Sequence, residues 1–243
     1  MDRNSPFAGN VALITGASRG IGLAIAERLG QLGARLAICA RDSRELDSAR
    51  SRLASAGFDV FAMPCDVSSA AQTAALAEKT AAHFGPIDFL INNAGTARFG
   101  PLHESTEQDW DAVLDTNLKG VFLMSRAVIP AMISRRRGHI VNISSLAGKN
   151  AFAGGGLYCA SKWGLLGLTY CMAEDLRGYG IRVSAVCPGT VATGFGHPSG
   201  SPSKKDAAKM LQPADVAHAV EMTLSAAPHA FISEVLLRPT QKP

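Results

Sequence analysis

The sequence predicts an α/β protein with a mainly parallel, seven-stranded, doubly wound sheet and helices on both faces. Three observations carry this. Short apolar runs alternate with stretches of helical spacing, which is the pattern of βαβ units. Most of the short runs are apolar on successive residues, as strands are when both sheet faces are covered. The first run leads into a glycine-rich turn that opens a helix, Thr15-Gly16-Ala17-Ser18-Arg19-Gly20-Ile21-Gly22.

Taken in order, the strands are expected at Val11–Ile14, Leu36–Cys39, Val60–Met63, Phe89–Ile91, Ile140–Ile143, Val183–Val186 and Val235–Leu237. Between the first two, Ile21, Ile25, Leu29 and Leu32 form an apolar stripe that Gly33 ends. Val113, Leu114, Leu118, Val121 and Phe122 form a second, read as part of one helix running to Val128, and Leu165–Leu176 form a third. Arg135-Arg136-Arg137, just before Gly138, reads as the solvated end of a helix, where cations suit the dipole. Gly194–Lys205 holds Gly, Pro, Ser and Lys with little apolar content. A mobile substrate loop is expected at about 194–209. No linker or repeat divides the chain, so residues 1–243 read as one domain.

The bulk properties narrow the function. At 47% hydrophobic and 18% charged, the 243 residues are those of a folded soluble protein. The net charge of +4 suits a small anionic ligand and is too small to argue for nucleic acid. No apolar run is long enough to span a membrane, and Met1–Asn10 has no apolar signal core, so a cytoplasmic location is the default. Cys39, Cys65, Cys159, Cys171 and Cys187 are scattered without a C-x-x-C pair, and the six histidines form no ligand set, so no metal site is expected.

Glycine in the first turn permits a tight bend and close approach of backbone to phosphate. The helix behind it offers free N–H groups to an anion. Gly16, Ser18, Arg19, Gly20 and Ile21 are therefore candidate dinucleotide contacts, as in a Rossmann fold. Further along, Tyr158 and Lys162 are four apart, on one face of a helix, with Ser145 thirteen residues earlier. A phenol of pKa ~10 is a poor acid or base at neutral pH, and a fixed cation beside it stabilises the phenolate. That arrangement suits a tuned general acid/base with a hydroxyl helper. Ser144 is the adjacent alternative to Ser145, disfavoured by the spacing.

These motifs, in order, resemble the short-chain dehydrogenase/reductase family. They are Thr15-Gly16-x-x-x-Gly20-Ile21-Gly22, Asp66, Asn92-Asn93-Ala94-Gly95, Asn117, Ser145, Tyr158-x-x-x-Lys162 and Pro188-Gly189-Thr190-Val191-Ala192-Thr193. The resemblance spans about residues 8 to 240. It implies an NADP(H)-dependent oxidoreductase interconverting a small carbonyl compound and an alcohol. Asn117, Ser145, Tyr158 and Lys162 are then the catalytic set: Tyr158 exchanges the proton, Ser145 steadies the oxygen, and Lys162 tunes the phenol. Asn117 bends its helix and holds a water that links the lysine to solvent. Asp66 and Val67 take the adenine, Asn92, Ala94 and Gly95 wall the adenosine, and Pro188, Gly189, Val191 and Thr193 hold the nicotinamide side. Asp66 in Asp-Val-Ser-Ser also fits a plain helix N-cap. Where NAD-using relatives carry an acidic residue, this chain has Ala40 followed by Arg41. A guanidinium pairs with a 2′-phosphate that a carboxylate would repel, so Arg41 and Arg19 favour NADP(H).

The substrate pocket is expected around Leu146, Ala147, Phe152, Ala153, Val191 and Phe195, with Arg98 at its rim. The enzyme alternative is a 3-oxoacyl carrier-protein reductase, weakened by the ending Glu234-Val-Leu-Leu-Arg238-Pro-Thr-Gln in place of a glycine-rich Asp-Gly-Gly segment. A non-catalytic NADP-sensing protein is a further alternative, but such proteins commonly lose the tyrosine or lysine, and both are present. The resemblance also suggests a homotetramer, or a dimer.

Overall fold

A computed structural model describes residues 5–195 and 203–241. Its centre is a seven-stranded parallel sheet of order β3-β2-β1-β4-β5-β6-β7. The strands are β1 Val11–Thr15, β2 Arg35–Cys39, β3 Val60–Ala62, β4 Phe89–Asn92, β5 Gly138–Ile143, β6 Ile181–Pro188 and β7 Glu234–Leu237. All seven expected strands are present, with ends shifted by a residue or two; β6 extends further because its pairing with β7 continues to Pro188↔Leu237.

The eight α-helices among the described residues are α1 Gly20–Gln31, α2 Ser43–Ser55, α3 Ala70–Phe84, α4 Glu107–Leu114, α5 Gly120–Arg135, α6 Gly156–Arg177, α7 Lys204–Ala207 and α8 Pro213–Leu224. They divide the core in two. Ala12, Ile14, Leu36 and Ile38 face Ile25 and Leu29 of α1, Leu46 of α2 and Val220 of α8. Their neighbours Val11, Leu13 and Ala37 point the other way, toward Leu76 of α3, Met124 and Val128 of α5 and Met172 of α6. Alternate residues on opposite faces, all apolar, explain why the runs looked continuous in sequence. The reversal of strand order between β1 and β4 opens a crevice at the carboxyl ends of the strands, where such sheets bind ligands.

One expectation is corrected and one is extended. The stretch Val113–Val128 is not one regular helix: a π-helical turn, Asp115–Lys119, separates α4 from α5 and places Asn117 at its centre. The arginine run ends α5 as expected, with Arg136 and Arg137 exposed, but it is also paired to the rest of the fold. Arg135 and Arg137 both reach Asp88 Oδ1, at 3.1 and 3.4 Å, while Asp88 Oδ2 accepts from Val11 N at 3.0 Å. Arg136 caps α5 in the left-handed region, φ 50°, and donates to the Gly178 carbonyl. The run thus pins α5 to the starts of β1 and β4. Of the expected loop at 194–209, residues 196–202 lie outside the described residues. Its far anchor is a parallel bridge between Val191 and Leu211.

Candidate active site

The glycine turn is built for close backbone contact. Gly16 has φ +64°, and a Cβ there would lie 2.8 Å from Ala94 Cα. A Cβ on Gly22 would lie 2.4 Å from the Gly16 carbonyl, so α1 packs against the turn only without a side chain. Asn93 fastens the turn to the end of β4. Its Nδ2 donates to the carbonyls of Thr15 and Gly16, at 2.9 and 3.0 Å, and Thr15 Oγ1 accepts from the N–H groups of Asn93 and Ala94. No side chain caps α1, and its first turn holds no acidic residue. Its leading N–H groups are open to an anion, and a dinucleotide pyrophosphate fits them.

Beyond this turn lies a small charged cluster. Arg41 is exposed and lines the cleft beside Ser18 and Arg19. Glu45, in the first turn of α2, accepts from Ser18 Oγ at 3.2 Å and sits 3.6 Å from Arg19 Nε. Asp66 Oδ1 accepts from the N–H and hydroxyl of Ser68, at 2.9 and 2.8 Å, while Ser69 caps α3. The N-cap reading of Asp66 is therefore replaced by a local turn. Burial pushes its carboxyl up, but the Ser68 bonds and the Arg41 charge outweigh that and hold it below its ordinary value.

At the other end, Ser145 follows β5 and starts a short 3₁₀ turn, accepting from Ala147 N at 3.1 Å. Tyr158 and Lys162 stand a turn apart on α6. Both serines line the cleft, but Ser144 is buried and bonded toward the Lys162 carbonyl, whereas Ser145 is half-buried. Lys162 Nζ donates to the Ile143 carbonyl at 2.9 Å and lies 5.8 Å from the Tyr158 ring centre. Burial pushes the Tyr158 phenol up to about 12, with Ser145 pulling against it, and pushes Lys162 down to about 8. The expected lowering of the phenol by the lysine is thus reversed here: burial of both groups disfavours their charged forms. The phenol is held protonated at neutral pH.

Asn117 is fully buried and its amide is satisfied within the protein. It accepts from Thr96 N and donates to Thr96 O, both at 2.8 Å, and donates to Ser161 Oγ at 3.0 Å. Ser161 in turn donates to the Tyr158 carbonyl at 2.7 Å. The π-turn therefore ties the strand end after β4 to the helix that carries Tyr158.

One cleft of ≈ 1730 Å³ joins these parts. It is lined by Gly16, Ser18, Arg19, Gly20, Ile21, Arg41, Val67, Ala94 and Gly95 at one end. Ser145, Tyr158, Lys162, Pro188, Gly189, Val191 and Thr193 line the other. Asp66, Asn92 and Asn117 are not in its wall. Asn92 is buried on the sheet face under α5 and donates to Ser125 and Asn142, while its neighbour Asn93 meets the glycine turn. Arg98 also lies elsewhere: it pairs with Asp109 at 3.4 Å and lines a separate cavity of ≈ 150 Å³. The sequence reading missed Asn93, Glu45, Ser161 and Phe99. Asn93 and Ser161 sit inside motifs already recognised, and Glu45 follows the helix cap Asp42 by three. Phe99 gave no signal.

A parallel sheet with this glycine turn and a tyrosine–lysine helix marks a dinucleotide-dependent oxidoreductase. The short chain dehydrogenase family pattern matches residues 10–203, and the chain belongs to that family. It is 40% identical to the D-threitol dehydrogenase of Mycolicibacterium smegmatis, over 84% of this chain and 79% of that one. It is also 40% identical to a 3-oxoacyl-acyl-carrier-protein reductase of Staphylococcus aureus, over 75% of this chain and 74% of the relative. A crystal structure of a metagenomic short-chain oxidoreductase in complex with NADP superposes with TM-score 0.85 at 46% identity, over 98% of this chain and 100% of that one. Among the described residues there is no cluster of His, Cys, Asp and Glu that could hold a metal ion, and no helix long and apolar enough to cross a membrane.

Proposed function

We propose that the protein is an NADP(H)-dependent reductase of small carbonyl compounds, working also in the alcohol-oxidising direction. The observation that carries this is the single cleft running from the glycine turn to Ser145, Tyr158 and Lys162. Bound NADP(H) supplies or accepts the hydride. The residues do the rest. Gly16, Ser18, Gly20 and Ile21 receive the pyrophosphate, Ala94, Gly95 and Val67 flank the adenosine, and Gly189, Val191 and Thr193 flank the nicotinamide. Arg41 and Arg19 pair with the 2′-phosphate. Tyr158, held protonated, donates to the developing alkoxide, while Ser145 hydrogen-bonds the same oxygen. Lys162 supplies a cation beneath the phenol, and Asn117 positions α6 through Ser161.

Tyr158→Phe tests this. It should lower kcat by about 10²-fold or more while NADPH still binds, measured by NADPH oxidation and by cofactor fluorescence. Retained turnover would refute the proton role. The 3-oxoacyl carrier-protein reading is favoured by the staphylococcal relative. Comparing an acyl thioester with simple ketones separates the two. Phe122 on α5 and Trp163 on α6 are exposed and support burial between copies in a homotetramer or dimer, which light scattering would measure. All five cysteines are free thiols, which supports a reducing, cytoplasmic setting.

A further inference from the structure

We propose that the substrate carbonyl is borne by an aryl group, held in a cage formed by Phe99, Phe152 and Phe195 around Tyr158. The proposal rests on the carbonyl-reductase reading and deepens it. The three phenylalanines are 50%, 49% and 46% exposed, yet all three line the one cleft. Single exposed apolar residues are ordinary on a protein surface, but two rings against the Tyr158 phenol, with a third packed on one of them, form a concave apolar site that the fold leaves uncovered.

The rings are already in contact. Phe99 stands edge-on to Tyr158, with centroids 5.7 Å apart and planes at 77°, and tilts against Phe152 at 5.9 Å. Phe195 lies 5.9 Å from the same tyrosine. At these separations aromatic rings attract through the positive edge of one and the negative face of another. A further flat ring extends the set on the same terms. A chain of hydroxyl groups gains nothing from these three side chains, which offer no hydrogen bond.

The backbone holds the cage in place. Gly100 N donates to the Gly154 carbonyl at 2.9 Å, which ties the loop of Phe99 to the loop of Phe152. A Cβ on Gly155 would lie 2.6 Å from the Phe152 ring, so only glycine lets that ring rest over the start of α6. Phe195 N donates to Thr193 Oγ1 at 3.2 Å, fixing the turn that presents the third ring. Carbonyl geometry follows: an aryl group among the rings leaves its attached carbonyl beside the Tyr158 hydroxyl and Ser145.

The test is a competition between matched ketones. With NADPH and the full chain, kcat/KM is measured for acetophenone and for 3-methyl-2-butanone, in the native protein and in Phe99→Leu, Phe152→Leu and Phe195→Leu. Leucine keeps apolar bulk and removes the ring, and thermal unfolding with NADPH fluorescence verifies a folded, cofactor-binding protein. Acetophenone should be preferred by at least about tenfold, and that preference should fall at least about threefold in each variant. Equal use of the two ketones, or a preference untouched by the three substitutions, overturns the cage while leaving the reductase reading intact. Failure to reduce any carbonyl while NADPH binds overturns both.

Discussion

Lys162 Nζ donates to the carbonyl of Ile143, the last residue of β5, at 2.9 Å. The bond anchors the lysine of α6 to the sheet and keeps its nitrogen under the tyrosine ring, 5.8 Å from the ring centre. One carbonyl is thin compensation for a buried ammonium, and burial brings Lys162 down to about 8. The phenol above it is pushed the other way, to about 12.

These two directions predict the pH profile of reduction. The active forms are the neutral phenol and the charged lysine. The phenol keeps its proton below about 12, so Tyr158 adds no limb in the working range. The lysine loses its charge above about 8, so kcat for reduction should fall as one proton leaves there. Lys162→Ala should lower kcat by about 10²-fold or more and abolish that limb. A profile from pH 6 to 10 in both proteins reads it directly.

Glu45 and Arg41 predict opposite effects on cofactor affinity. Glu45 accepts from Ser18 at 3.2 Å and lies 3.6 Å from Arg19, which is proposed to meet the 2′-phosphate. A dianion arriving there displaces a carboxylate. Glu45→Gln should therefore lower KM for NADPH several-fold and leave NADH nearly unchanged. Arg41→Ala should raise KM for NADPH about tenfold, the loss of roughly 1.4 kcal/mol from one charge-assisted pair. Steady-state titration with the two cofactors separates these outcomes.

How far the sequence could be read depends on the range of each interaction. The strands were legible because burial on both faces makes every residue of Val11–Ile14 apolar, a purely local signal. The glycine turn and the Tyr158/Lys162 pair were legible because each lies within a few residues. The π-turn was legible only through the family resemblance, which placed a bend at Asn117: Leu114, Leu118 and Val121 keep an apolar face, and one added residue in a turn leaves such a stripe nearly unbroken. Arg135 looked solvated because its partner, Asp88, is 47 positions away. Asn92 was taken for its neighbour's role because adjacent residues at a strand end face opposite ways, and sequence spacing does not say which one meets the cleft. Phe99 acquires meaning only when the fold brings it against Phe152 and Tyr158.

The Asp88 junction predicts a stability loss far from the cleft. Asp88→Ala leaves Val11 N–H without its acceptor and the half-buried Arg135 without its carboxylate. Orphaning the buried Val11 N–H and a half-buried guanidinium costs about 2 kcal/mol. The urea midpoint should drop accordingly, with the loss reduced in a double variant that also carries Arg135→Met.

His139 predicts how stability depends on pH. It is wholly buried on β5, with Nε2 2.8 Å from Ser184 Oγ and Nδ1 without a partner. Burial, with the Arg182 charge adding to it, brings its pKa down to about 3. The unfolded chain takes up a proton below about 6.5, whereas the folded protein resists until about 3. In that window the unfolded state binds more protons, so stability falls as pH falls. The loss begins near pH 6.5 and reaches about 2 kcal/mol by pH 5. His139→Asn should be less stable at pH 7, because it disturbs the Ser184 contact, yet its stability should decline less between pH 7 and pH 5 by about the same 2 kcal/mol. Urea unfolding of both proteins at the two pH values decides it: parallel losses would show that other groups, not His139, set the acid limb.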